Sequence, residues 1–202
     1  GIHSAWASDH VCWPAQFESK YPYSGDGSFP APAGLGWLDA IGTLLFVAGC
    51  TEQIRLGFTV LILPYRQPVA TAKQLATIDV VSDGRLILGV GVGWMREEAE
   101  VLGMPWDNRG ARSDEQLQIF NTLFTEDEPS FEGTYYSFPK VDFEPKPIQK
   151  QADSELNRFR SKHIQNEPIE NQIDAEQDRF RTKPIQNKTD CEPKRFRTFR
   201  TR

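Results

Sequence analysis

The chain has 202 residues, a formal net charge of −5, and 39% apolar and 11% aromatic residues, enough to build one ordinary domain with a buried core, which excludes disorder of the whole length. No run approaches the roughly 18 apolar residues of a membrane-spanning helix, and the start, GIHSAWASDH, has neither a charged leader nor an apolar signal core, so a cytoplasmic protein is expected. The acidic balance argues against nucleic acid as a partner, and the scattered Cys12, Cys50, Cys191, His3, His10 and His163 indicate neither a metal site nor a disulfide framework.

In chain order, Ile2 to Ser8 reads as a short strand that ends at the polar turn Asp9-His10. A Gly/Pro/Ser-rich loop, Pro14 to Gly36, leads to a helix from Trp37, in which Leu38, Ile41, Leu44, Leu45 and Ala48 recur at three- and four-residue steps up to Gly49. Ile54 to Leu63 is an apolar run of strand length closed by Pro64. Pro68 suits the first turn of a second helix, whose stripe of Val69, Ala72, Leu75, Ala76 and Val80 runs to the stop signal Ser82-Asp83-Gly84. Arg85 to Gly93 is again an apolar strand, followed by a helical pattern from Arg96 to Leu102. Ser113 is placed to cap a last helix, with Asp114 and Glu115 in its first turn and Leu117, Phe120, Leu123 and Phe124 facing inward. Strands alternating with helices predict an α/β fold with a parallel sheet.

The composition changes near residue 150. Residues 1–149 carry 10 Lys+Arg against 19 Asp+Glu and hold all 15 Gly, whereas residues 150–202 carry 13 against 9 and repeat Arg-Phe-Arg at 158–160, 179–181 and 195–197. The second segment is expected to be a basic, low-complexity, largely disordered tail on a body spanning 1–149.

The glycines of Gly89-Val90-Gly91-Val92-Gly93 end a strand and precede a helix, as in a dinucleotide-binding loop, but Arg96 or Trp94 stands where the third glycine belongs. Their remaining role is to let a backbone or a ligand approach closely. A ligand is the expectation here, because Trp94 beside them offers a flat apolar surface.

Three stretches, SAWASDHVCWPAQF, IRLGFTVLILPYRQPVATAKQLATIDVVSDGRLILGVGVGW and RGARSDEQLQIFNTLFTEDEPSFEGTYYSFPKVDFEPKPIQ, occur in an order that resembles the luciferase-like monooxygenase family, in particular members that use the deazaflavin coenzyme F420. The resemblance runs from about Ser4 to Gln149. It implies part of a (β/α)8 barrel, the family's second to fourth strands with their helices, and a flavin (FMN) or F420 ring at the carboxyl ends of those strands. By the same resemblance Asp9 and His10 match a pair beside the ring and substrate, where His10 supplies the proton exchange that hydride transfer needs, and Trp13 is similar to a catalytic-site aromatic residue near that pair. Thr59 and Val60 match a strand-end bulge under the ring, sometimes with a cis peptide, while Val92, Gly93, Trp94 and Glu97 belong to a cofactor-contacting loop. Read without the resemblance, His10 is better taken as a loop-capping histidine, and Thr59 and Val60 as ordinary strand residues.

The expected function is therefore a flavin- or F420-dependent oxidoreductase acting on a small organic substrate, a homodimer in its full-length relatives and truncated here at both ends. The alternative is a non-catalytic remnant or interaction fragment whose tail comes from an unrelated reading frame.

Overall fold

The computed structural model describes residues 2–30 and 36–149. The tail expected over 150–202 lies outside the described residues.

Three chain segments run side by side. Strand β1 (Ser4–Ala7) pairs in parallel with β2 (Arg55–Phe58), which pairs in parallel with β4 (Leu86–Ile87). Further along the same two segments β3 (Leu61–Ile62) pairs in parallel with β5 (Val90–Gly91). The apolar runs 54–63 and 85–93 are thus each interrupted once, at Thr59-Val60 and at Leu88-Gly89, where a continuous strand is predicted. Leu63 leaves the strand and opens a 3-10 turn, Leu63–Tyr65.

The interruptions follow from close packing. A Cβ on Gly89 would lie 2.2 Å from the Phe58 carbonyl oxygen, and one on Gly91 would lie 2.4 Å from Val60 Cγ2. These two glycines therefore admit protein atoms, a backbone carbonyl and a valine methyl, which corrects the expectation that a ligand is what approaches them. Because the obstacle at Gly89 is backbone, Gly89→Ala is expected to destabilise the chain by about 1–3 kcal/mol. Thermal melting followed by circular dichroism checks this, and an unchanged midpoint would contradict it.

Helix α1 (Ala40–Cys50) starts three residues later than Trp37, because Asp39 caps it, its Oδ1 accepting from the Gly42 amide at 2.6 Å. Leu38 precedes the cap and is exposed, so it falls off the buried stripe of Ile41, Leu44 and Ala48. Helix α2 (Pro68–Val81) begins where proline and the Gln67 side chain place it, the latter accepting from the Ala70 amide. Its buried face runs through Thr71, Ala72, Leu75, Ala76, Ile78 and Asp79, which leaves Val80 outside. The short α3 (Arg96–Val101) follows β5 directly.

Helix α4 (Arg109–Thr125) begins a full turn before the predicted cap. Ser113 lies within it, and its hydroxyl donates back to the Arg109 carbonyl at 2.8 Å. A serine followed by two acids imitates a cap, but Asn108 holds that position. A hairpin, β6 (Phe131–Glu132) and β7 (Ser137–Phe138), follows, an element outside the predicted strand–helix alternation. Its turn hangs on the Glu115 carboxylate, which accepts from the amides of Thr134, Tyr135 and Tyr136.

The core lies where α1, α2 and α4 cover the sheet, around Leu44, Leu56, Phe58, Leu61, Leu75, Ile78, Phe120 and Leu123. Among the described residues no helix is long and apolar enough to cross a membrane.

Candidate active site at the strand ends

Parallel strands point their carboxyl ends the same way, so the residues after β1, β2 and β5 share one rim. Thr59 extends the β1–β2 pairing, its amide donating to the Ala7 carbonyl at 3.0 Å, and the Ser8 hydroxyl donates to the Thr59 carbonyl at 3.2 Å. The Thr59-Val60 peptide is cis. Gly93 takes a left-handed φ of 78° and lies against Tyr65 and Ile62, turning the chain from β5 toward α3. Thr59 and Val92 stay exposed and Val60 is half-buried.

Asp9 and His10 turn inward from this rim. Asp9 is buried, and its carboxylate is fully engaged: Oδ1 accepts from Arg66 Nη2 at 2.6 Å, and Oδ2 accepts from the Ile62 amide at 2.9 Å and from Arg66 Nε at 3.3 Å. It ties the end of β1 to β3. His10 is also buried, with Nδ1 2.7 Å from Oε2 of the fully buried Glu98. Oε1 of Glu98 accepts from the amides of Val11 at 2.7 Å and Cys12 at 3.2 Å. Burial, aided by the Glu98 charge, pushes both the Cys12 thiol and the Tyr65 phenol above their ordinary pKa.

Aromatic rings from the loop between β1 and α1, joined by Trp94 from the segment after β5, surround the imidazole. Trp13 lies at 5.0 Å, Trp37 at 5.1 Å, Phe29 at 5.8 Å and Trp94 at 6.1 Å, centroid to centroid, all edge-on to His10. Phe29 and Trp94 stack at 15°, and Tyr21 packs edge-on against both. Edge-to-face contacts of this kind contribute beyond the area they bury.

Glu97 secures the same loop from α3. Its Oε1 accepts from the amides of Glu18 at 2.7 Å and Ser19 at 3.1 Å, and Oε2 is buried without a partner. Partial burial raises the carboxyl pKa, but hydrogen bonds from the Ser19 hydroxyl and nearby amides outweigh it and hold the value at about 2. A carboxyl more acidic in the folded chain contributes stability that is complete above its unfolded pKa and fades as pH falls through about 2. Glu97→Gln is therefore expected to loosen the aromatic loop at neutral pH and to bring wild type and variant together as the pH falls toward 2, read by tryptophan fluorescence. An equal difference at every pH would contradict this role.

Of the residues singled out from sequence, the fold thus gathers Asp9, His10, Trp13, Trp94 and Glu97 into one cluster and sets Thr59, Val60, Val92 and Gly93 along the adjoining rim. Glu98, Arg66, Tyr65, Phe29 and Trp37 belong to the same neighbourhood and were not anticipated. Glu98 pairs with His10 across 88 positions, and a second acid in a first helical turn carries no sequence mark of such a partner. Among the described residues no group of three or more potential metal ligands occurs.

The sequence profile of the luciferase-like monooxygenases matches residues 1–168. The chain belongs to that family. Within it, an F420-dependent glucose-6-phosphate dehydrogenase from Amycolatopsis mediterranei is 33% identical over 153 residues, covering 74% of this chain and 41% of that enzyme. An FMNH2-dependent dimethylsulfone monooxygenase from Pseudomonas putida is 37% identical over 103 residues, covering 50% of this chain and 28% of that enzyme. In fold, the luciferase-like chain matches an F420-dependent secondary alcohol dehydrogenase, solved with an F420-acetone adduct, at a TM-score of 0.56 and 22% identity over 74% of this chain and 42% of that one. The chain spans about half the length of the curated relatives it matches. Its parallel sheet and flanking helices are part of a (β/α)8 barrel.

Proposed function

We propose that this luciferase-like chain carries the ring-binding part of an oxidoreductase that uses F420 or FMN on a small organic substrate. One observation carries the reading: the ends of three parallel segments converge on a buried histidine beside an uncovered apolar ledge. Val92 is 40% exposed, and with Thr59 and Val60 it leaves a surface on which a flat heteroaromatic ring would lie. When bound, such a cofactor supplies the hydride and two-electron chemistry of the reaction. Thr59, Val60 and Val92 would hold the ring, with Trp94 and the rest of the aromatic cluster excluding water from one side.

His10 is the residue that moves a proton, because an imidazole can both accept and donate one and its neighbours here are rings and Glu98. Asp9, engaged by Arg66 and the Ile62 amide, fixes where His10 stands. Arg66 is spoken for by Asp9 and by Asp39 at 3.6 Å.

The test is an anaerobic mixture of the chain with reduced F420 or reduced FMN and a panel of small ketones, or with the oxidised cofactor and small alcohols, followed by the cofactor's visible absorbance, and a separate mixture with reduced FMN, oxygen and small sulfones, followed by the oxygenated product. Cofactor oxidation by a ketone, cofactor reduction by an alcohol, or a sulfone product that depends on both chain and substrate supports the proposal. Identical traces and product yields with and without the chain, for both cofactors, count against it.

A further inference from the structure

We propose that Glu98 is a positioning residue that fixes the tautomer of His10, so that Nε2 is the nitrogen that takes and gives the proton. The inference rests on the reading of His10 given above and extends it to a residue from another element. A carboxylate oxygen and a ring nitrogen 2.7 Å apart require a proton between them, because two lone pairs at that distance repel. The proton belongs to Nδ1, since an imidazole nitrogen is a stronger base than a carboxylate oxygen, and Oε1 receives the amide protons of Val11 and Cys12. Those two donors fix the carboxylate's orientation, and the carboxylate fixes the ring. In neutral His10 the second nitrogen, Nε2, is then the unprotonated one.

The surroundings agree. The charged or titratable groups placed around the pair are Asp9, engaged by Arg66; Cys12, whose amide already serves Glu98; and Tyr65, whose hydroxyl donates to the Met95 carbonyl at 3.2 Å. The rings of Trp13, Phe29, Trp37 and Trp94 offer Nδ1 no competing carboxylate. Glu98 thereby links α3, which follows the glycine-rich strand end, to the histidine after β1.

Substitution by the isosteric amide gives a signed result. In Glu98→Gln the side-chain carbonyl must face the two amide donors at Val11 and Cys12, because an NH2 group there would oppose two N–H groups. The NH2 then faces His10 and donates to Nδ1, which forces the neutral imidazole into the Nε2–H tautomer. A structural role alone would not reverse a tautomer.

The experiment is nitrogen-15 correlation NMR of the imidazole rings in the full chain, with the His10 signals identified by their loss in His10→Asn. Wild type is expected to show Nδ1 protonated and Nε2 bare in the neutral form, and Glu98→Gln the reverse. Turnover with the cofactor is expected to fall about 100-fold or more in Glu98→Gln, as when a histidine is held in the wrong tautomer. A bare Nδ1 in wild type overturns the proposal whether or not the variant folds, and so does an unchanged tautomer in a folded Glu98→Gln. Turnover unaffected by His10→Asn, with the tautomers as expected, would instead defeat the catalytic reading of His10 and leave the Glu98 contact standing.

Discussion

Replacing His10 by Asn is expected to slow cofactor turnover by about 10²–10⁴-fold, the usual contribution of a positioned acid–base group, while leaving the chain folded. The asparagine amide nitrogen takes the place of Nδ1 and can keep donating to Glu98, so a carboxylate that is 0% exposed is not stranded. Asparagine does not titrate and loses only the proton exchange. His10→Ala removes both, takes from Glu98 its imidazole partner, and is expected to cost stability as well, because an under-compensated buried charge is expensive. Rates and melting temperatures of the two variants separate the chemical role from the structural one. Equal turnover in wild type and His10→Asn would remove His10 from the reaction.

Arg85→Ala is expected to be the most destabilising single change proposed, by about 2–4 kcal/mol. The guanidinium donates five hydrogen bonds, to the carbonyls of Ala48, Thr51, Ile54 and Ser82 and to the Thr51 hydroxyl, at 2.6–3.1 Å. It joins the end of α1, the start of β2 and the turn after α2, so three connections loosen together when it is lost. Lysine carries three donors on a point charge and cannot spread over these acceptors as the planar fork does. Arg85→Lys should therefore recover less than half of the loss. Urea melts of the three forms measure this, and an Arg85→Ala midpoint at the wild-type value would contradict it.

The alternation of strands and helices was legible because each buried stripe repeats with its own period, as Ile41, Leu44 and Ala48 do on α1. Boundaries were legible where one residue imposes them, as Pro68 does on α2. They were misplaced where a local signal had a competitor: Ser113 looks like a cap, yet helix α4 starts at Arg109, and Leu38 fits the stripe of α1 although the helix begins only after the Asp39 cap. The breaks at Thr59-Val60 and Leu88-Gly89 depend on which atoms face across a strand pair, as the Phe58 carbonyl faces Gly89, and no one-dimensional pattern carries that. The site divides in the same way. Asp9-His10 and the glycine-rich strand end stand out in sequence because polar or small residues interrupt apolar runs. Glu98, Arg66 and the ring partners do not, because each acquires its role only from a distant segment brought alongside by the sheet.

The proposed seat of the cofactor ring is the rim formed by Ser8 to His10, Thr59-Val60 and Val92 to Trp94. Backbone amide NMR of the chain titrated with F420 and, separately, with FMN tests it, because weak binding still moves the affected signals. Shifts with at least one cofactor are expected to concentrate at those residues and at Glu98, and to shrink when Val92 is replaced by Asp. Shifts clustered elsewhere, or none with either cofactor at millimolar concentration, would contradict it.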